Sequence, residues 1–221
     1  MKEIVHALSR LLRLVGLYYP LRNFRRDWRF AARMRRERAE WRRQGCPPPP
    51  PGCIKHAVIR QYAARWRTTV LVETGTFYGD TLFALRRQFA EIHSIELAEG
   101  LHHFVKGEFA HLPHIHLHLG DSAVILPRIA AGLDQPTLYW LDGHFCSGPS
   151  ARSEKDTPVC EELNYLLQRP PRRDVILVDD ARFFVGSDGY PTIEQLRALV
   201  ARHRPEASVE VDEDIIRIAP V

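Results

Sequence analysis

Cysteine is scarce: Cys46, Cys53, Cys146 and Cys160 are the four in 221 residues, and no two form a C-x-x-C pair. That spacing excludes the common zinc patterns, and the number is low for a disulfide-built scaffold. A reducing cytoplasm is the expected compartment. Long apolar runs are missing too. Nothing approaches the ~20 residues of a membrane span, and Arg10 and Arg13 interrupt the first apolar stretch, which excludes a signal-peptide core. Internal repeats are absent, so a solenoid is not expected. Acids are scarce at one end only. Residues 1–45 hold 13 Lys/Arg against 4 Asp/Glu, a net of +9, whereas the remainder holds 18 against 23, a net of −5. The overall +4 therefore belongs to an N-terminal arm and not to the rest of the chain. The length suits one α/β domain with appendages.

The arm opens with Ile4, Val5, Leu8, Leu11, Leu12 and Val15 on one helical stripe, which Gly16 and Pro20 are expected to end. A second basic segment, Leu21 to Gln44, carries ten arginines, with Trp28 and Trp41 among them. Three readings fit this pattern. The arm packs on the domain or on a sister subunit with its arginines solvated, lies on an anionic membrane surface, or binds nucleic acid. The stretch C-P-P-P-P-P-G-C over 46–53 is a stiff extended spacer and marks the boundary to a domain over 54–221.

That domain alternates strands and helices. After a helix over Ile54–Trp66, the run V-L-V-E-T-G-T-F-Y-G-D-T over 70–81 reads as a buried strand, a glycine turn and a helix start. The helix extends over Asp80–Phe89. Glycines let the backbone approach a ligand, and a helix start offers unpaired N–H groups. The spacing is not G-x-G-x-x-G, because Phe77 stands between Gly75 and Gly79. An ordinary strand-to-helix turn without a ligand is the plain alternative. Further strands are expected at Glu91–Glu96, His114–Leu119, Thr137–Asp142 and Asp174–Val178, and a closing hairpin at 208–211 and 215–218. Helices are expected at Leu97–Ala110, Ser122–Ala131 with Pro127 inside, Thr157–Gln168 and Thr192–His203. This alternation predicts an α/β, Rossmann-like, doubly wound, mostly parallel sheet with a C-terminal antiparallel hairpin. Ligands sit at the carboxyl ends of such strands. Acids stand there in a row: Glu73, Glu96, Asp142, Asp179 and Asp180, with Asp121 just past the third strand. Helix capping accounts for one or two of them.

With these residues in place, positions 54–218 resemble the class I S-adenosylmethionine-dependent methyltransferases. E-T-G-T-F-Y-G looks like that family's first motif, with an aromatic at Phe77 as in catechol-type O-methyltransferases. The resemblance implies that Gly75 and Gly79 line the methionine end of the donor, with Thr81 near its carboxylate, and that Glu73, Thr76 and Phe77 also belong to the donor site. It implies that Glu96 takes the ribose hydroxyls, a task that suits a carboxylate because it can accept from two vicinal hydroxyls. Asp121 and Ser122 would meet the adenine. A closer resemblance is to the metal-dependent catechol and macrocin O-methyltransferases, which implies that Asp142, Asp179 and Asp180 hold Mg²⁺ or another divalent cation, with Asp142 also close to the donor. Independently of any family, three carboxylates converging without arginine partners would repel, and a hard cation would relieve this. Catechol enzymes place a lysine base three residues after the first metal Asp. That position here is Phe145, with His144 beside it, so His144 is the candidate base alongside Asp142; it could equally bind substrate. Lys155 is a further candidate.

The resulting expectation is a divalent-metal-assisted O-methyltransferase acting on a sugar, glycoside or other polyol hydroxyl. The loop 143–156 would be its lid. The expected partners are a small-molecule or glycosyl acceptor, an anionic membrane surface contacted by residues 1–45 and a second copy of the chain, without nucleic acid. An NAD-binding oxidoreductase and an inactive interaction protein of the same fold are the competing classes. His114, His116 and His118 alternate on one face of the third strand; a second metal site and ordinary edge-strand polarity both account for them.

Overall fold

The computed structural model describes residues 18–143, 158–170 and 172–221. The apolar stripe from Ile4 to Val15, His144, Lys155 and Thr157 lie outside them. The chain forms two compact units, Met1–Pro47 and Pro48–Val221.

In the first unit, helix α1 spans Tyr18–Arg43. It takes in Pro20, which stands in the first turn, where a missing N–H costs no intrahelical bond. The expected end of the preceding stripe at Gly16 lies outside the described residues. Trp41 Nε1 donates to the Pro47 carbonyl at 2.6 Å, which folds the chain back against the end of α1.

The second unit is a seven-stranded sheet. Its strands are β1 Val70–Thr74, β2 Glu91–Glu96, β3 Ile115–Leu119, β4 Thr137–Leu141, β5 Val175–Val178, β6 Ala207–Asp212 and β7 Ile215–Pro220. The order is β3-β2-β1-β4-β5-β7-β6. The first five are parallel, and β7 runs antiparallel to both β5 and β6. The Rossmann-like expectation, including the hairpin, therefore holds. The helices are α2 Gly52–Trp66, α3 Asp80–Leu85, α4 Glu99–Phe109, α5 Ser122–Ala131, α6 Val159–Gln168 and α7 Ile193–His203.

Alternation of side chains sends Val70, Val72, Tyr139, Leu141, Ile176 and Val178 to one face. There they pack on Leu126 and Ala130 of α5, Leu163 and Leu166 of α6 and Leu196 and Val200 of α7. Leu71, Leu138 and Leu177 are fully buried on the other face, where α2 lies over β4 and β5. Continuous apolar strands of this kind are what a sheet covered on both faces requires.

Several boundaries shift by one or a few residues from the expectation, and two of the shifts have a visible cause. Helix α3 ends at Leu85 and not at Phe89, because the Arg86 carbonyl is taken by His114 Nε2 at 2.8 Å and the chain must turn into β2. Helix α7 starts at Ile193, with Thr192 outside it as the cap of a complete capping box with Gln195.

Candidate active site

The first switch point of the sheet lies between β1 and β4, where strand order reverses, and the crevice at their carboxyl ends is where a ligand fits. Gly75 follows β1 with φ +83°. A Cβ there would lie 2.3 Å from the Asp142 carbonyl oxygen, so β1 and β4 approach as closely as glycine alone permits. Gly79, with φ +76°, caps α3. Its absent side chain makes room for Val105 and Phe109 of α4.

Between these glycines, Phe77 also takes a left-handed backbone, φ +49°. Its N–H then points at Glu96 Oε2, 2.8 Å away. The other oxygen, Oε1, accepts from Ala98 N at 2.8 Å. Glu96 is therefore fixed by two backbone donors, and each oxygen keeps a further lone pair for a ligand. Beneath it, Ser94 Oγ donates to Glu73 Oε2 at 2.6 Å and lies 2.6 Å from Thr76 Oγ1. Thr81 also bonds Glu73, and burial pushes the Glu73 pKa up to about 8. Glu73, Thr76 and Thr81 are thus internal supports of the turn. Asp121 accepts from Ala123 N at 2.9 Å and caps α5, the plain role considered for acids at strand ends. Ser122 is buried beside it.

The second centre lies at the ends of β4 and β5. Carboxylate oxygens of Asp142, Asp179 and Asp180 all fall within 4.8 Å of one another. Asp180 stands in a left-handed turn, φ +57°. The expectation of a cluster without arginine partners is corrected here, and a lysine joins as well. Lys55 Nζ, carried by α2, sits on Asp179 Oδ2, and Arg182 Nη1 donates to Asp180 Oδ1 at 2.6 Å and also to Asp214. Asp179 Oδ1 remains buried without a hydrogen bond. Burial raises the pKa of Asp142 well above the usual carboxylate range, and the Asp179 charge adds to it. Burial also opposes the charge on Lys55, but Asp142, Asp179 and Asp180 outweigh it, so the Lys55 pKa is raised. An oxygen-only donor set with one unsatisfied buried oxygen fits a hard divalent cation. The Lys55 ammonium already supplies one positive charge at that place.

Glu162 of α6 also belongs to this crevice and was not anticipated. It is 1% exposed. Thr74 Oγ1 stands 3.5 Å from its Oε2, while Oε1 has no partner. Burial pushes its pKa up to about 7. The available signal was an acid interrupting the apolar stripe Val159, Leu163, Leu166. Raised carboxyl pKa values stabilise the fold fully only below the unfolded value, and this stability is lost as pH rises through the folded one. Stability is therefore expected to fall between about pH 4.5 and 8 through Glu73 and Glu162. Denaturant midpoints measured across that range should decline less in Glu162→Gln than in the parent. An equal decline in both would remove Glu162 from the account.

The three histidines expected on the third strand separate. His114 precedes β3 and serves the end of α3, as above, while His116 and His118 of β3 face His93 of β2. Burial, followed by the neighbouring histidines, pushes the His118 pKa down to about 4.

Neither family models nor curated proteins give a match to this sequence. Solved structures do. The O-methyltransferase TomG of Streptomyces achromogenes, involved in tomaymycin synthesis and crystallised with S-adenosylmethionine, is similar over 85% of this chain and 88% of its own, at 15% identity and a TM-score of 0.53. An O-methyltransferase of Bacillus cereus holding S-adenosylhomocysteine is similar over 84% and 90%, at 12% identity and a TM-score of 0.54. A Podospora anserina methyltransferase with the same ligand is similar over 76% and 78%, at 14% identity and a TM-score of 0.50. The second unit thus has the Rossmann-like fold seen in these S-adenosylmethionine-type methyltransferases.

Proposed function

We propose that the chain is an S-adenosylmethionine-dependent O-methyltransferase, assisted by a divalent cation and acting on a hydroxyl of a sugar, glycoside or other polyol. The observation that carries the reading is Glu96, held by Phe77 N and Ala98 N beside the Gly75 turn with lone pairs left for a ribose diol. The solved structures of the same fold, crystallised with this donor or its product, support it. In the reaction, the sulfonium S–CH₃ bond breaks as an O–CH₃ bond forms in line with it, and S-adenosylhomocysteine leaves. The hydroxyl proton passes to His144. Asp142, Asp179 and Asp180 would hold the cation, which when bound supplies Lewis acidity to the acceptor hydroxyl. Close packing of Gly75 on the Asp142 backbone couples the donor turn to this cluster.

Calorimetry with S-adenosylmethionine, S-adenosylhomocysteine and NAD tests the reading. Both sulfur ligands should bind, and Glu96→Ala should weaken them by ~1.5–3 kcal/mol, the scale of charge-assisted hydrogen bonds. Tight NAD binding with no response to the sulfur ligands would replace this enzyme by an oxidoreductase.

For the arm, an anionic membrane surface is the proposed partner. Among its described residues, Phe24 and Trp28 are 73% and 67% exposed, and Arg29, Arg33, Arg36, Arg38 and Arg42 are exposed as well. Each basic residue near an anionic surface contributes ~1 kcal/mol, screened by salt. No helix among the described residues is long and apolar enough to cross a membrane. The full chain should co-sediment with anionic vesicles at low salt, and a form starting at Pro47 should not. Two soluble forms, with loss of oligomer or fold on truncation, would make the arm structural.

A further inference from the structure

The register of β2 against β3 sets His93 opposite His116 and Ile95 opposite His118. Alternation puts Glu91, His93, His116 and His118 on one face, toward the edge of the sheet. The His93 and His116 rings stack, with centroids 4.8 Å apart and planes at 24°. Their Nε2 atoms address a single oxygen: Glu91 Oε1 lies 3.1 Å from His93 Nε2 and 3.2 Å from His116 Nε2. Yet His93 Nε2 is buried and makes no hydrogen bond of acceptable geometry. Its other nitrogen, Nδ1, is 3.1 Å from His118 Nε2.

We propose that Glu91, His93 and His116 form a Zn²⁺-class metal site that ties the edge strand β3 to β2. Tetrahedral Zn²⁺ with bonds of about 2.0–2.1 Å places neighbouring ligand atoms about 3.3–3.4 Å apart. The spacings of 3.1 and 3.2 Å need only small adjustments to admit the ion. Two imidazoles and one carboxylate suit Zn²⁺ and neighbouring transition metals, and not Mg²⁺. His118 supplies what such sites require behind a ligand. Accepting from His93 Nδ1–H, it fixes the tautomer whose Nε2 lone pair faces Glu91. The His116 and Glu91 side chains are 43% and 36% exposed, which gives the ion an entry path and leaves a fourth position to water. The site stands near the amino end of β2, whereas Glu96 stands at its carboxyl end. It is therefore separate from the Asp142, Asp179 and Asp180 cluster and does not depend on the proposed reaction.

The test uses tag-free full-length protein stripped with chelator, titrated with Zn²⁺ by calorimetry and with Co²⁺ by visible absorption, in excess Mg²⁺ to occupy the carboxylate cluster. One equivalent should bind, with the d–d bands of low-coordinate Co²⁺ and a rise in melting temperature. Asp179→Asn should retain this binding. His118→Ala should weaken it about 10–100-fold, the usual loss when a ligand's outer hydrogen bond is removed, and His116→Ala should abolish the Co²⁺ bands. His116 lies on the exposed edge, so this variant should melt like the parent in chelator. Unchanged Zn²⁺ binding in His116→Ala, binding lost in Asp179→Asn alone, or no stoichiometric binding by the parent would each overturn the site.

Discussion

His144→Ala is expected to lower the turnover number by ~10²–10⁴, the contribution of a positioned general base, and to remove the acidic limb of the pH–rate profile. Elimination among the groups at this centre leaves His144. A base must have given up its proton and hold a free lone pair before it acts. Asp142 and Asp179 are held by burial with raised pKa values, and Asp179 is already engaged by Lys55. Lys55 is itself raised above 10.5, so it stays a cation at neutral pH and has no lone pair to offer. His144 follows Asp142 by two residues, and imidazole is the side chain suited to proton transfer near neutral pH. Initial rates of the parent should thus show an acidic limb that His144→Ala lacks. A variant that raises only the Michaelis constant, with turnover and pH profile intact, would make His144 a binding residue.

How much of this site was legible in the sequence depended on whether a feature is local. The row Glu73, Glu96, Asp142, Asp179, Asp180 could be read because each acid follows its own apolar strand, and a parallel sheet aligns strand ends whatever the details. Features that need two distant segments could not be read. Lys55 lies in I-K-H-A-V-I-R, an ordinary amphipathic start to α2. Only the packing of α2 over β4 and β5 brings it to Asp179, 124 positions later. Glu162 is not singled out by the sequence, since propensity does not report which turn of a helix is sealed. The histidines gave half of their pattern. Alternation on β3 put His116 and His118 on one face, but the partners Glu91 and His93 come from the β2–β3 register, which no local signal sets. Helix α3 was read too long because Phe89 fits its period. It is buried after the chain has left the helix.

Lys55→Met should have a large effect on stability and an opposite effect on cation binding. In the parent, the ammonium neutralises Asp179, whose side chain is fully buried while that of Lys55 is 20% exposed. Removing one partner of such a pair costs about 3–5 kcal/mol, because the other charge is left uncompensated. Asp179 then keeps only the Asp180 backbone N–H to offset its charge, since Oδ1 has no hydrogen bond to begin with. The cost depends on pH. Asp179 is already raised by burial, against the pull of Lys55, and losing Lys55 raises it further. A group raised in the folded state stabilises fully only below its unfolded pKa and loses that stability as pH rises. The deficit in chelator should therefore be small near pH 5 and largest near pH 8, read as denaturant midpoints of parent and variant. Divalent cation reverses the order. Mg²⁺ bound only to the folded state stabilises by RT ln(1 + [Mg²⁺]/Kd). In the parent it must first displace the ammonium, whereas in the variant the carboxylates are uncompensated. Mg²⁺ should thus raise the melting temperature of Lys55→Met more than that of the parent, and Asp142→Asn in the same background should remove the gain. Equal stability of parent and variant at pH 8 in chelator would show that the Lys55–Asp179 pair contributes nothing. A larger Mg²⁺ response in the parent would show that Lys55 does not compete for the cation place.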